Sequence, residues 1–170
     1  MDREKLREIQ RPIKGKYTES PDLAKFTLSA AANVVAESIS CEIDSFLGKL
    51  SCGLHPGTGG NGSQACSAEM LLESLAGCAA VTLKAVATAM QIPMHSAVVI
   101  AEGDVDFRGT LGIDKQASVG FEKIRLKFEL DMDADEHTAA KLIELTERYC
   151  VVYQTLKQPP EIASQLIRVS

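Results

Sequence analysis

The sequence predicts an α+β fold: two largely antiparallel sheets around one buried helix. Three observations carry that reading. Strand-like segments fall in two groups, around residues 22–52 and 96–132, rather than alternating singly with helices, and such grouping favours antiparallel pairing. Between the groups lies Ser67–Met90, a stretch apolar on nearly every side, which predicts a helix covered all round. Finally, "KIRLKFELDM" (123–132) alternates cleanly: Ile124, Leu126, Phe128, Leu130 and Met132 share one face, and Lys123, Arg125, Lys127, Glu129 and Asp131 share the other. That is a strand with one side on a core and one in water.

Composition sets the outer bounds. The 170 residues are 45% hydrophobic and 24% charged, ordinary values for a soluble globular protein of one domain. Aromatics make up only 5% and Trp is absent, so small and aliphatic side chains must fill the core. A net charge of -5 argues against a nucleic-acid partner, since phosphate binding needs a basic face. The first residues are charged, so no signal peptide is expected, and Glu73 and Lys84 interrupt the most apolar stretch, so no membrane span is expected. Five cysteines, an odd number in a chain that needs no staples, fit a reducing cytoplasm.

The elements follow in order. Residues 1–21 read as a basic N-terminal helix or arm, solvated, with its helix ending near Arg11-Pro12 because proline disfavours helix at the preceding residue. Residues 22–170 read as a single domain. Residues 22–52 give two or three short strands in a meander, and "HPGTGGNGSQ" is a loop. Ser67 is the expected N-cap of the long helix, with Glu69 complementing its dipole and Ile92-Pro93 ending it. "SAVVIAEGDVDFRG" follows as a strand, then the alternating strand. Asp133, with Glu136 three residues on, predicts a capping box for a helix whose apolar positions are Ala139, Leu142, Ile143, Tyr149 and Cys150. After Pro159-Pro160, "IASQLIRV" reads as a closing edge strand.

Several motifs bear on chemistry. Gly57, Gly59 and Gly62 satisfy G-x-G-x-x-G, but no strand feeds directly into a βαβ unit, so a connector is the better reading. Cys41, Cys52, His55 and Cys66 lack the paired spacing of a zinc site, and no metal or bound cofactor is expected. His95 and His137 fit surface or cap roles, and no nucleophile elbow supports Ser/His/Asp catalysis. The thiols remain. Cys78 sits in the middle of the apolar helix and Cys150 just before "VVYQTLKQP". A two-thiol mechanism needs one activated cysteine and one that can reach it; a separation of 72 residues neither forbids nor shows their meeting.

"SAEMLLESLAGCAAVTL", the strand "GFEKIRLKFEL" and "LTERYCVVYQTL" together resemble the OsmC/Ohr family, the osmotically inducible and organic-hydroperoxide-resistance proteins, over about residues 25–170. The resemblance implies an intertwined homodimer with central helices between two curved sheets and active sites at the subunit interface. It implies that Cys78 attacks a small organic hydroperoxide, that Cys150 resolves the product as a disulfide, and that an external dithiol restores both. The chain departs from the family in two places. Val151 and Tyr153 stand where Pro and Ser are usual, and no Arg occurs between Asp22 and Ser67 to hold the thiolate. Glu69 matches the acidic residue of the broader group, nine residues before the cysteine, and Arg11, Arg108 and Arg148 are candidates for its cationic partner. The alternative is a dimeric binding or scaffold protein with weakly reactive thiols.

Overall fold

A computed structural model describes residues 1–45 and 48–169 of the chain; Phe46 and Leu47, inside the stretch read as strands, and Ser170, the end of the expected domain, lie outside the described residues. Helix α1 (Arg3–Glu19) opens the chain, with the Asp2 carboxylate accepting from the Lys5 N–H at 2.8 Å. Contrary to expectation, the helix does not end at Arg11 but runs through Pro12. The proline removes the donor that would reach the Glu8 carbonyl, yet both residues are exposed, so water can take that place. A single 3₁₀ turn, Pro21–Ala24, follows.

The expected meander is present. Strands β1 (Ala32–Val34), β2 (Ser40–Ser45) and β3 (Gly48–Gly53) pair antiparallel in sequence order, and β4 (Ala65–Cys66) adds in parallel to β3. The "HPGTGGNGSQ" segment connects β3 to β4 through a 3₁₀ turn, Pro56–Thr58. The loop is glycine-rich for steric reasons: a Cβ on Gly60 would stand 1.7 Å from the Leu54 carbonyl oxygen, and Gly59 holds φ +99°.

Helix α2 spans Ser67–Met90. Cys66, not Ser67, occupies the N-cap position and makes no side-chain cap; pairing of Cys66 in β4 fixes the helix start one residue earlier than the hydroxyl suggests. At the other end Gln91 adopts the left-handed conformation (φ 60°), and the Ile92 N–H bonds back to the Ala87 carbonyl at 3.0 Å before Pro93 stops the helix. The prediction of burial all round needs correcting for the single chain. Only Leu75, Ala79, Leu83 and Ala87, one i,i+4 row, are fully buried, whereas Val81 is 73% exposed. By length and composition α2 would in fact suffice to cross a membrane: an 18-residue window has mean hydropathy 1.5, and 22% of that window is buried within the chain.

Strands β5 (Met94–Val105) and β6 (Phe121–Met132) form a second, two-stranded antiparallel sheet. The expected strand thus ends at Val105, before the one-turn helix α3 (Phe107–Thr110), which Asp106 caps by accepting from the Arg108 N–H. Alternation along β6 holds as expected: the Ile124–Met132 face is partly buried and Phe128, Leu130 and Met132 pack on the core of Leu83, Ala87 and Leu142. Helix α4 (Glu136–Tyr149) is capped by Asp135, which accepts from the Thr138 N–H at 2.7 Å. Asp133, the expected cap, instead lies 3.2 Å from His95 Nε2. Tyr149 is 58% exposed rather than on the core face, which Leu142 and Thr146 provide. Cys150 follows outside the helix and leads into α5 (Val151–Lys157). Contrary to expectation, the tail to Val169 forms no strand, and its apolar side chains are exposed; it follows two prolines, which have no N–H to give to a ladder. Helix α2 therefore runs at the centre, touching α1, β4, β5, α4 and α5.

Candidate active site: a thiol pair at the α2–α5 contact

The core row of α2 points at β5 and α4, and this aims the neighbouring row, Cys78 and Thr82, at the junction of α4 and α5. Cys150 fills that junction. Its backbone is extended (φ −75°, ψ 111°), so it ends α4 and begins α5, and its sulfur accepts from the Tyr153 N–H at 3.5 Å. The side chain is fully buried, at 0% exposure. The two thiols, far apart in sequence, come within hydrogen-bonding reach of each other.

Their surroundings push them in opposite directions. Burial acts to raise the Cys78 thiol, but donation from the Val152 N–H, the Cys150 thiol, the Val151 N–H and the Thr82 hydroxyl outweighs it, and the net effect lowers Cys78 below the ordinary thiol range. Burial likewise raises Cys150; the Tyr153 N–H offsets part of this, and donation to Cys78 adds to it. The two thiols are thus shifted apart, Cys78 toward the charged form and Cys150 toward the protonated one. Among the described residues, the groups that lower Cys78 are uncharged. The departure from the family pattern at residue 151 acquires a physical meaning here, because a proline would have no N–H to offer.

The other sequence candidates lie elsewhere. Glu69 is two and a half turns before Cys78, which puts it on the opposite face of α2 and about 13 Å away along the axis. It is exposed and its carboxylate faces His55 Nε2 at 4.0 Å. Arg108 is bound by Asp106, through paired contacts of 2.5–3.1 Å, and lies 3.5 Å from Asp114. Arg11 lines an exposed groove on α1 with Arg7 and Lys14. Arg148 is the one candidate beside a thiol: with Cys150, Val151, Gln154, Thr155 and Pro160 it lines an open groove of about 470 Å³, its guanidinium 5.5 Å from the Tyr149 ring centre. His55 caps the 3₁₀ turn by accepting from the Gly57 N–H and packs 4.9 Å from the Phe107 ring. Among the described residues no three His, Cys, Asp or Glu side chains are grouped so as to hold a metal ion. Sequence reasoning missed Thr82 and the two valine amides. The i,i+4 spacing of Cys78 and Thr82 was a usable signal; the amides, belonging to the backbone, left none.

The sequence model of the family described as OsmC-like protein matches residues 60–165. No curated protein sequence matches the chain. Among solved structures, the chain is similar to the OsmC-like protein of Mycoplasma pneumoniae, with TM-score 0.65 and 19% identity over 79% of this chain and 90% of that one. It is also similar to an organic hydroperoxide resistance protein OsmC of Legionella pneumophila (TM-score 0.59, 15% identity, 78% and 90% covered). A third is the organic hydroperoxide resistance protein OhrB of Bacillus subtilis (TM-score 0.54, 17% identity, 79% and 93% covered). At such identities the likeness establishes the shared fold.

Proposed function

The chain belongs to the OsmC-like protein family, and from that premise we propose that it is a thiol peroxidase that reduces small organic hydroperoxides through Cys78 and Cys150. The observation that carries this reading is the juxtaposition of the two thiols, with Cys78 lowered and Cys150 raised. The organic-hydroperoxide-resistance names of two similar structures are in keeping with it.

In the proposed cycle the Cys78 thiolate attacks one oxygen of the peroxide bond. The O–O bond breaks, the alkoxide leaves and takes a proton as the alcohol, and Cys78 becomes a sulfenic acid. The Cys150 sulfur then attacks Cys78, expelling water and forming the disulfide. An external dithiol reduces that disulfide by exchange, passing through a mixed disulfide. The amides of Val151 and Val152 and the Thr82 hydroxyl hold the thiolate before attack, in the role an arginine plays in the family pattern. Exposed apolar surface on α2 and on the tail, including Val81, Ile162 and Leu166, supports a homodimer in which a second copy covers it.

The test is direct. One equivalent of cumene hydroperoxide added to reduced protein should lower the count of free thiols from five to three, with Cys78 and Cys150 linked on non-reducing peptide mapping. Cys78→Ser should lose the fast phase of peroxide consumption. A Cys78→Ser protein that consumes peroxide as fast as the parent would sink the reading and favour a scaffold role.

A further inference from the structure

The N-terminal sheet carries thiols that the proposed cycle does not use. Cys41 of β2 and Cys52 of β3 occupy directly opposed positions in the antiparallel register. Opposed residues of such a pair have Cα atoms about 4.5–5.5 Å apart, inside the roughly 4.4–6.8 Å range that a disulfide spans, and their side chains leave the sheet on the same face. The two thiols are within hydrogen-bonding reach. Cys66 also lies close enough to act on Cys52, but its register partner is Gly53, one step along the strand, which directs its Cβ to the other face.

From this juxtaposition we infer that Cys41 and Cys52 form a second thiol–disulfide couple, independent of Cys78 and Cys150, which oxidation closes into a cross-strand staple. The two thiols play different parts. Cys52 is 5% exposed, with its sulfur 3.4 Å from Met70 Sδ, and burial followed by the neighbouring Cys41 sulfur raises it. Cys52 therefore keeps its proton and resolves. Cys41 is partly exposed and lies with Cys52 on the wall of an open groove of about 490 Å³ that Val34, Ile39 and Ile43 make apolar. An apolar hydroperoxide entering there meets Cys41 first.

The chemistry balances with that oxidant. The Cys41 sulfur takes one oxygen from the hydroperoxide and releases the alcohol; Cys52 then displaces water from the Cys41 sulfenic acid. Two thiols and one hydroperoxide give one disulfide, one alcohol and one water, and an external dithiol reverses the oxidation by exchange. The closed staple ties β2 to β3, and β3 in turn pairs with β4, whose Cys66 begins α2.

The Cys78→Ser/Cys150→Ser full-length protein isolates this couple, since it retains only Cys41, Cys52 and Cys66. Prolonged exposure to excess cumene hydroperoxide should lower its count of free thiols from three to one. Non-reducing peptide mapping should join Cys41 to Cys52, and dithiothreitol should restore all three. Three thiols still reduced, a disulfide containing Cys66, or a link between two chains would each overturn the inference. Because Cys150 is buried, the double variant is paired with a second arm in the unmodified protein: the Cys41–Cys52 peptide should appear there on oxidation and be absent from Cys41→Ser. Absence of that peptide from oxidised unmodified protein also overturns the inference. Loss of the Cys78–Cys150 peptide bears only on the proposed peroxidase cycle, so the two readings fail separately.

Discussion

Substituting Val151 by proline restores the residue usual in the family and removes one N–H donor from the Cys78 sulfur. The site tolerates the change in every other respect. Val151 is the first residue of α5, where proline is favoured because that N–H has no helical partner. Cys150 is already extended (φ −75°, ψ 111°), the conformation a residue before proline prefers. The Val151 side chain is 72% exposed, so little packing is lost. What disappears is one hydrogen bond to a charged acceptor, about 1.5–3 kcal/mol in general. The Val152 N–H acts more strongly on Cys78 and stays in place, which puts the loss at the low end of that range. A loss of about 1.4 kcal/mol is tenfold in an equilibrium, so the thiolate–thiol equilibrium should move by roughly tenfold toward the thiol. The assay is the pH profile of Cys78 alkylation by iodoacetamide, with Cys150 replaced by serine and circular dichroism confirming that the helices persist. The Val151→Pro profile should move to higher pH, and the rate on its rising limb should drop. An intact fold with a pH profile that does not move would refute the idea that backbone amides hold this thiolate.

Three further predictions rest on other parts of the molecule. Val81→Asp should leave the helices formed but dissociate a homodimer, read by analytical ultracentrifugation; an unchanged sedimentation coefficient would mean that the exposed face of α2 is not the subunit contact. Leu83→Ala opens a cavity beside Ala87 and Leu142 and should cost about 2–5 kcal/mol in urea unfolding, whereas a cost near zero would show that the core closes around the gap. Arg125 of β6 bonds to Asp104 and to Glu102 across the β5–β6 ladder, Lys127 also reaches Glu102, and hydrogen bonding from these partners lowers both carboxylates below their ordinary range. A lowered folded-state value means stability present above the unfolded value and lost as pH falls through the folded one. Arg125→Gln should therefore be less stable than the parent at neutral pH, with the difference closing below about pH 4; a gap that widens in acid would contradict the assignment.

Much of the architecture is legible one residue at a time. Strict alternation from Lys123 to Met132 needs only the two-residue pleat to become a half-buried strand. The Ile92-Pro93 stop needs only the geometry of proline. Cys78 stands out because a thiol in a run of small residues, followed by a second thiol in a matching segment, is a chemical pattern before it is a structural one. The errors were local competitions. Ser67 yielded the cap because Cys66 is held in β4, Asp133 yielded it to Asp135, and α1 passed through Pro12 because an exposed carbonyl can turn to water.

What the chain alone determined was the order of its longer strands and helices as far as α4, the apolar character of α2 and the two thiols as candidates. Only the folded molecule decided what surrounds them. Hydrogen bonding and burial are properties of position in space, so the question of what lowers Cys78 was not answerable from a search for arginines. The answer lies in two main-chain N–H groups and the Cys150 thiol, brought there by the packing of α5 against α2, and a hydroxyl one turn away. The same holds for Cys41 and Cys52, scattered thiols along the sequence that the β2–β3 register sets face to face.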